Sequence, residues 1–477
     1  MQNQFTHMAL SNDIIETLTA LKYTTPTEIQ SIIIPLILDG RDVVAKSKTG
    51  SGKTAAFGIP LCEMTTWEGR LPQVLILEPT RELAEQVRME LFCISRNKRL
   101  KIPAIFGGFP IDKQIQTLRQ KTHIVVGTPG RLLDHVRRGS INLSEVTKVV
   151  IDEADLMLDM GFIDEVGTLL EQTPIRNQTI LCSATIDEQL DILIQTYMNT
   201  PKLVQLNQEE ITASEITQVF YPSDRENKFN HLQQVLISHN PISCVIFCGT
   251  KEMVQVLFQK LKRDKIYTVM LHGDQDQRER MKAVDDFARG KSRFLIATDL
   301  ASRGIDFTKV SHVINYDFPT GKETYVHRIG RTGRNKEQGT AISLLTAEDY
   351  RMKLSVQAYI HMDIQETTLP SITTKERDTF YNTQRKVVSL KPTKDAPFQK
   401  DITKLLIGGG RKSKMRAFDI VGSICSIQTL TNDDIGIIDV RDSVTYVEIL
   451  NKKGQLVYQN LQTKTIKGKV RKIKRLP

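Results

Sequence analysis

The sequence predicts two tandem α/β domains, each built on a parallel sheet, followed by a small α+β domain. Three observations carry this reading. Between residues 42 and 206, short apolar runs at 74–77, 124–126, 149–151 and 179–181 alternate with longer amphipathic stretches. A strand covered by helices on both faces reads as such an unbroken run. A second series repeats the alternation at 244–247, 268–271, 294–297, 312–315 and 341–344. The pattern then resumes on a smaller scale: apolar 405–407, helical 416–425, apolar 435–440 and 444–450, a short 454–461 segment and a final basic strand. That order reads β-α-β-β-α-β, a split sandwich.

A chain of 477 residues is too long for one hydrophobic core. Polar residues 207–215 separate the two strand series, which sets domains at 1–207 and 208–370. Residues 371–400 mix Thr, Lys, Asp, Pro and Gln with little apolar periodicity and read as a linker to a module at 401–477. The net charge of +10 raises the expectation of a polyanionic partner. Residues 401–477 hold fifteen lysines and arginines against seven acids, so the basicity belongs chiefly to this module. Cysteines 62, 93, 182, 244, 248 and 425 lack metal-site spacing and read as reduced core residues. Cys244 and Cys248 fall on one face of one strand, as buried thiols would. The first ten residues lack a basic stretch followed by an apolar one, and no run approaches the ~18 apolar residues of a membrane helix. The expectation is a cytoplasmic protein with no membrane partner.

Gly50-Ser51-Gly52-Lys53-Thr54 follows the strand-like 42–45. A glycine-rich turn there exposes backbone N–H groups to phosphates at a helix N-terminus. Lys53 would reach the terminal phosphates, and the Thr54 hydroxyl would touch Mg²⁺. Ser47 stands where the general pattern begins with glycine. Asp152-Glu153-Ala154-Asp155 ends the apolar run 149–151. Asp152 is the expected metal-side carboxylate, acting largely through water; Glu153 would orient the attacking water, and Asp155 would couple. A solvated acidic strand end would look the same in isolation; the phosphate loop upstream decides against it. Far along the chain comes His327-Arg328-Ile329-Gly330-Arg331-Thr332-Gly333-Arg334, whose arginines can neutralise charge on a transferring phosphoryl group. Interdomain salt bridging would use Arg331 and Arg334 equally well. Together these segments describe an ATP site divided between two domains.

In this order the motifs resemble those of the DEAD-box RNA helicases, from Phe5 to about Leu345. The resemblance implies two RecA-like domains, ATP and Mg²⁺ as cofactors, and RNA-stimulated ATP hydrolysis with local duplex separation. It makes Phe5, Tyr23, Pro26-Thr27 and Gln30 the adenine-reading segment, Gln30 meeting the base edge and Tyr23 stacking on it; Lys22 stands where glycine is usual. It makes Ser183-Ala184-Thr185 and His327 coupling elements. Gly304, Asp306, Arg331 and Arg334 become the second domain's share of the ATP site, with Arg334 the arginine finger and Arg303 a link between RNA and nucleotide. It places RNA on Pro79, Thr80, Arg81, Gly108, Thr128 and Arg131 in the first domain. In the second it places RNA on Gly249, Thr250, Gln277, Arg280 and Thr298. Glycines and hydroxyls at loop ends let a sugar-phosphate chain approach main-chain N–H groups without reading sequence.

Residues 401–477 resemble the RNA-binding domain of the DbpA and YxiN branch of that family, a small RRM-like fold. That branch implies large-subunit (23S) ribosomal RNA, a hairpin of its peptidyl-transferase region, and pre-ribosomal particles as partners, with the chain acting as a monomer. Val444 and Leu406 occupy positions where an RRM stacks bases on aromatics, leaving Tyr446. Lys404, Lys412, Lys469 and Lys472, within a run of further cations, fit a phosphate-and-shape mode instead. A lysine-protected edge strand would share that pattern. Two other functions remain open at this level: an ATP-controlled RNA clamp, and a general RNA helicase of cold response or RNA decay.

Overall fold

The computed structural model describes residues 3–47, 50–205, 216–302, 310–333, 338–385, 390, 396 and 402–476. The first sheet contains β1 (Val43–Lys46), β2 (Val74–Leu77), β3 (Ala104–Ile105), β4 (Ile124–Gly127), β5 (Lys148–Ile151), β6 (Gln178–Ser183) and β7 (Lys202–Gln205). They lie parallel in the order β3-β4-β2-β5-β6-β1-β7. Alternate residues feed two separate cores. Val43, Ala45, Ile76, Val150 and Ile180 pack on one face, and Val44, Leu75, Leu77, Val149 and Leu181 on the other. Because both faces are covered, the middle positions of the central strands are apolar on both sides. The short β3 and the edge strand β7, where Lys202 and Leu203 face solvent, lack that signature and were not legible in the sequence.

The second sheet repeats the plan with β8 (Ile216–Pro222), β9 (Cys244–Cys248), β10 (Thr268–Leu271), β11 (Phe294–Thr298), β12 (His312–Asn315) and β13 (Gly339–Leu345). All are parallel in the order β10-β11-β9-β12-β13-β8. Cys244 and Cys248 share one core with Ile246, and burial pushes both thiols up from their ordinary pKa. The domain boundary expected at 207–215 lies outside the described residues.

The linker expectation needs correction over its first half. Residues Thr374–Arg385 form a helix, and Phe380 is fully buried in the second domain's core. Its ring centroid lies 6.1 Å from that of Phe294, and the Arg293 guanidinium sits 5.9 Å from its ring. One deeply seated aromatic anchors this otherwise polar helix, too little for a periodicity reading to register.

The last domain has β14 (Thr403–Gly408), β15 (Ile435–Val440), β16 (Val444–Ile449), β17 (Thr465–Ile466), β18 (Lys469–Val470) and β19 (Ile473–Arg475). An antiparallel sheet runs β15-β16-β14-β19. Helices Ala417–Cys425 and Gly454–Leu461 contribute Ile420, Ile424, Val457 and Leu461 to a core with Leu405, Ile407, Val447 and Ile449. The single basic strand expected at the end of the chain is also corrected. Lys467 (φ 53°) and Gly468 (φ 70°) turn the chain between β17 and β18. Two consecutive positive φ angles make a two-residue hairpin loop, and only β19 joins the sheet.

Lys22 adopts φ 64°, the left-handed region. Glycine enters it without a Cβ clash. The Lys22→Gly variant is expected to gain about 0.5–1 kcal/mol, read as a raised thermal midpoint; an unchanged or lowered midpoint would show that the lysine costs nothing there.

Candidate nucleotide and RNA site

The chain leaves β1 into Ser47 and, past Lys48 and Thr49, which lie outside the described residues, reaches Gly50 at φ 89° and Gly52 at φ 93°. A Cβ on Gly52 would stand 2.7 Å from Gln30 Nε2. Lys53 opens helix Lys53–Met64, whose N-terminal N–H groups point out of the loop. Its Nζ donates to the Ser47 carbonyl at 2.8 Å and lies 3.4 Å from Glu153 Oε1. Burial acts to lower the Lys53 pKa, but the Glu153 and Asp152 carboxylates outweigh it and hold it above the usual lysine range. Ser47, at the position where glycine is usual, puts its Oγ 3.0 Å from Ser51 Oγ and so braces the loop. Thr54 follows, half-buried.

Beyond β5, Asp152 and Glu153 are 4% and 8% exposed. Burial raises the Asp152 pKa, Lys53 opposing it and Glu153 adding to it. Glu153 takes φ 49°, a strained value for a non-glycine residue, and its N–H donates to Asp152 Oδ1 at 2.9 Å. A buried carboxylate, a lysine amine and a glycine cradle at a helix N-terminus form a donor set that fits a nucleotide phosphate with a hydrated divalent cation.

Asp155 joins this strand end to the next. Its Oδ2 accepts from the N–H groups of Ala184 and Thr185, each at 3.1 Å, and from Thr185 Oγ1 at 3.3 Å. Ser183 Oγ accepts from the Asp155 N–H at 3.2 Å and donates to the Thr185 carbonyl at 2.6 Å. The two motifs form one hydrogen-bonded unit.

Gln30 is anchored to the phosphate loop. Its Oε1 accepts from the Thr27 N–H at 3.0 Å, and its Nε2 donates to the Gly52 carbonyl at 3.3 Å. Tyr23 donates its hydroxyl to Glu90 at 3.1 Å. Phe5, grouped with them in sequence, is 1% exposed in the first core and supports the segment from beneath.

The expected RNA residues fall at loop ends and helix starts. Thr80 caps helix Arg81–Ile94, accepting from the Leu83 N–H at 3.3 Å, and Pro79 precedes it. Thr128 precedes helix Pro129–Arg137, from which Arg131 donates to the Phe109 carbonyl at 3.1 Å. In the second domain Thr250 caps helix Lys251–Arg263, the Gly249 N–H donates to Asp317 at 2.9 Å, and Thr298 ends β11. The two halves meet. Arg81 donates to Gln277 Oε1 at 2.9 Å, and Arg280 donates to Glu82 Oε1 at 2.8 Å. Gly108, at φ 82°, lies against the Arg81 guanidinium, and a Cβ there would collide with it. Glu82, 4% exposed, also accepts from Gln277 at 3.2 Å. Sequence reading passed over it because nothing local marks it as the hub of an interdomain contact.

In the last domain Lys404, Lys412, Lys469 and Lys472 are exposed. The Arg441 guanidinium covers the Tyr446 ring at 4.5 Å, so the one remaining aromatic is already stacked.

Residues 27–193 match the DEAD/DEAH box helicase family, 227–336 the helicase conserved C-terminal domain, and 404–475 the DbpA RNA binding domain. The sequence is 44% identical over 473 residues to the ATP-dependent RNA helicase DbpA of Bacillus subtilis, spanning 99% of each chain. The chain belongs to the DEAD-box ATP-dependent RNA helicases. This DEAD-box helicase is also 35% identical to DbpA of Escherichia coli, over 96% of each chain. It is 40% identical to the helicase CshA of Bacillus subtilis over 74% of its own length and 72% of the relative's. Among solved structures, Saccharomyces cerevisiae Dbp5 bound to RNA and ADP BeF3 aligns at a TM-score of 0.70 and 32% identity, covering 80% of this helicase and 100% of that chain. The helicase binds ATP and RNA and couples ATP hydrolysis to RNA unwinding. No helix among its described residues is long and apolar enough to cross a membrane.

The residues expected to give the second domain's share of the nucleotide site are only partly described. Arg331 is 7% exposed, just past helix Lys322–Ile329, on which His327 is exposed. Arg303, Gly304, Asp306 and Arg334 lie outside the described residues. Arg328, between His327 and Arg331, is 2% exposed and bonded to side chains from two other segments. It donates to both oxygens of Asp299 at 2.5 and 2.7 Å and to Asn315 at 3.0 Å.

Proposed function

We propose that this RNA helicase remodels large-subunit (23S) ribosomal RNA during ribosome assembly, acting as a cytoplasmic monomer on pre-ribosomal particles. The observation that carries the reading is the DbpA RNA binding domain at 404–475, attached to both halves of a helicase core. Its fifteen cations against seven acids suit a phosphate-rich target. Domains at 1–207, 208–370 and 401–477 divide the labour: closure of the first two bends RNA, and the third delivers the enzyme to its site.

In the nucleotide site, Gly50, Ser51, Gly52 and Lys53 hold the phosphates, while Tyr23 and Gln30 recognise the base. Thr54 and Asp152 would hold Mg²⁺, largely through water, and the ion would neutralise phosphate charge. Glu153 orients the water. Gly304, Asp306, Arg331 and Arg334 complete the site on closure, Arg334 as the arginine finger. The RNA track runs over Pro79, Thr80, Arg81, Gly108, Thr128 and Arg131, then Gly249, Thr250, Gln277, Arg280 and Thr298. On the last domain, Lys404, Lys412, Tyr446, Lys469 and Lys472 meet the target.

Asp155, Ser183 and Thr185, with His327, transmit between nucleotide and RNA. Asp155→Ala removes every bond from its carboxylate to residues 184 and 185. It is expected to lower strands separated per ATP about 5–150-fold while leaving ATP affinity intact. Equal losses of both would make Asp155 a plain structural residue.

The target assignment is tested by ATP hydrolysis with a ribosomal fragment containing the peptidyl-transferase hairpin, against an unrelated structured RNA at equal concentration and salt. A preference of roughly tenfold, about 1.4 kcal/mol of discrimination, is expected. Equal rates would leave the helicase standing and remove the targeting.

A further inference from the structure

The C-terminal domain rests on the back of the first domain through a short set of polar contacts. Arg96 pairs with Glu448 at 2.8 Å, Arg99 donates to the Asn432 carbonyl at 2.8 Å, and Gln120 donates to Asp439 at 3.2 Å. Lys101 reaches the Ile438 carbonyl at 3.3 Å. Between these contacts and the domain edges runs a cleft of about 1330 Å³. It exceeds the ~300–1,000 Å³ of small-molecule pockets. Among the described residues, its walls carry eight lysines and arginines against two carboxylates, Asp13 and Glu16. The cations come from both sides: Arg70, Arg99 and Lys121 from the first domain, Arg411 and Arg416 from the last. Burial among them lowers the Lys101 pKa to about 8, with Arg96 contributing and Asp439 and Glu448 opposing.

We propose that this cleft between the first domain and the C-terminal domain is a second RNA site, which grips the phosphate backbone of a single strand outside the helicase track. Cations in facing walls neutralise phosphates from both sides of a strand, and several at once suit a polyanion better than one free phosphate. The cleft is also placed to continue the track. Helix Ile111–Leu118 starts three residues after Gly108, and Gln120, two residues beyond its end, lines the cleft. Eight residues of helix span about 12 Å. RNA leaving the track beside Gly108 therefore meets the cleft within a helix length. The proposal rests on the RNA track only for this continuity, and it holds whichever RNA the last domain prefers.

The protein carries its own reporter. Its one tryptophan, Trp67, is 43% exposed in the cleft wall, with the Lys121 ammonium 4.3 Å from the ring centroid. With the full chain and an oligouridylate, RNA binding is expected to change Trp67 emission. A 4-thiouridine-substituted strand is expected to crosslink to the segment containing residues 67–70 or to Lys121. Reversing two wall charges, Arg70→Glu with Lys121→Glu, should weaken binding several-fold. It should also flatten the dependence of log Kd on log salt by about 1.4, the loss of two single-strand phosphate contacts. Neither residue belongs to the nucleotide site or the track, so basal ATP hydrolysis should persist. An unchanged salt slope in the variant, or no crosslink to either segment in the unaltered chain, overturns the proposal; equal ATPase stimulation by unrelated RNAs would instead remove the ribosomal target and leave the cleft untouched.

Discussion

Replacing Glu153 by Gln is expected to lower RNA-stimulated ATP hydrolysis by about 10²–10⁴-fold, the range of general acid–base catalysis, while ATP and RNA still bind. The substitution preserves volume, and the backbone bond from residue 153 to Asp152 Oδ1 stays. It removes the charge that lies 3.4 Å from Lys53 Nζ, along with the capacity to orient and deprotonate water. The strained φ of 49° at this position is further reason to place Glu153 at the chemistry, because such strain persists where surrounding structure imposes it. Single-turnover hydrolysis at saturating RNA measures the chemical step directly. A rate within threefold of the unaltered enzyme would transfer the role to another group.

Arg328→Met is expected to destabilise the second domain by about 1.5–3 kcal/mol, the worth of hydrogen bonds to a charged group in a pair of which only the arginine is buried. Arg328 is 2% exposed and holds Asp299 through two bonds; a further bond to Asn315 links it to β12. Its guanidinium also stacks 5.1 Å from the Phe247 ring on β9. Methionine keeps much of the packing volume but removes the guanidinium from the Asp299 carboxylate, the Asn315 Oδ1 and the Asp317 carbonyl. Denaturant unfolding should show a second-domain transition at markedly lower midpoint with the first domain unmoved. A loss below 1 kcal/mol would mean that water replaces the guanidinium. The double variant Arg328→Met with Asp299→Asn should recover part of the loss, since it no longer strands a charge.

The readable parts of this protein are those whose chemistry demands particular residues close together in the chain. A phosphate cradle would need glycines and a lysine such as Gly50, Gly52 and Lys53 at the start of a helix, and a metal-side carboxylate would need to follow a buried strand, where Asp152 lies. Both requirements are local, so spacing reveals them. The parallel sheets were legible for a similar reason: strands such as 149–151, covered on both faces, leave continuous apolar runs. The edge strand β7, with one buried residue in four, leaves no such trace.

Identity of the motifs, the parallel character of the two large sheets and the concentration of charge in the last module thus follow from residue type and spacing alone. The tertiary structure alone decides which distant groups meet. It pairs Glu82 with Arg280 across the two helicase domains, fastens Asp155 to residues 183–185, and seats Phe380 in the core from within an apparent linker. It also brings Lys121 and Arg416 to one cleft. These contacts join residues far apart in the chain, and their energy comes from burial and geometry created only when separate elements pack, which a linear pattern of residue types does not encode.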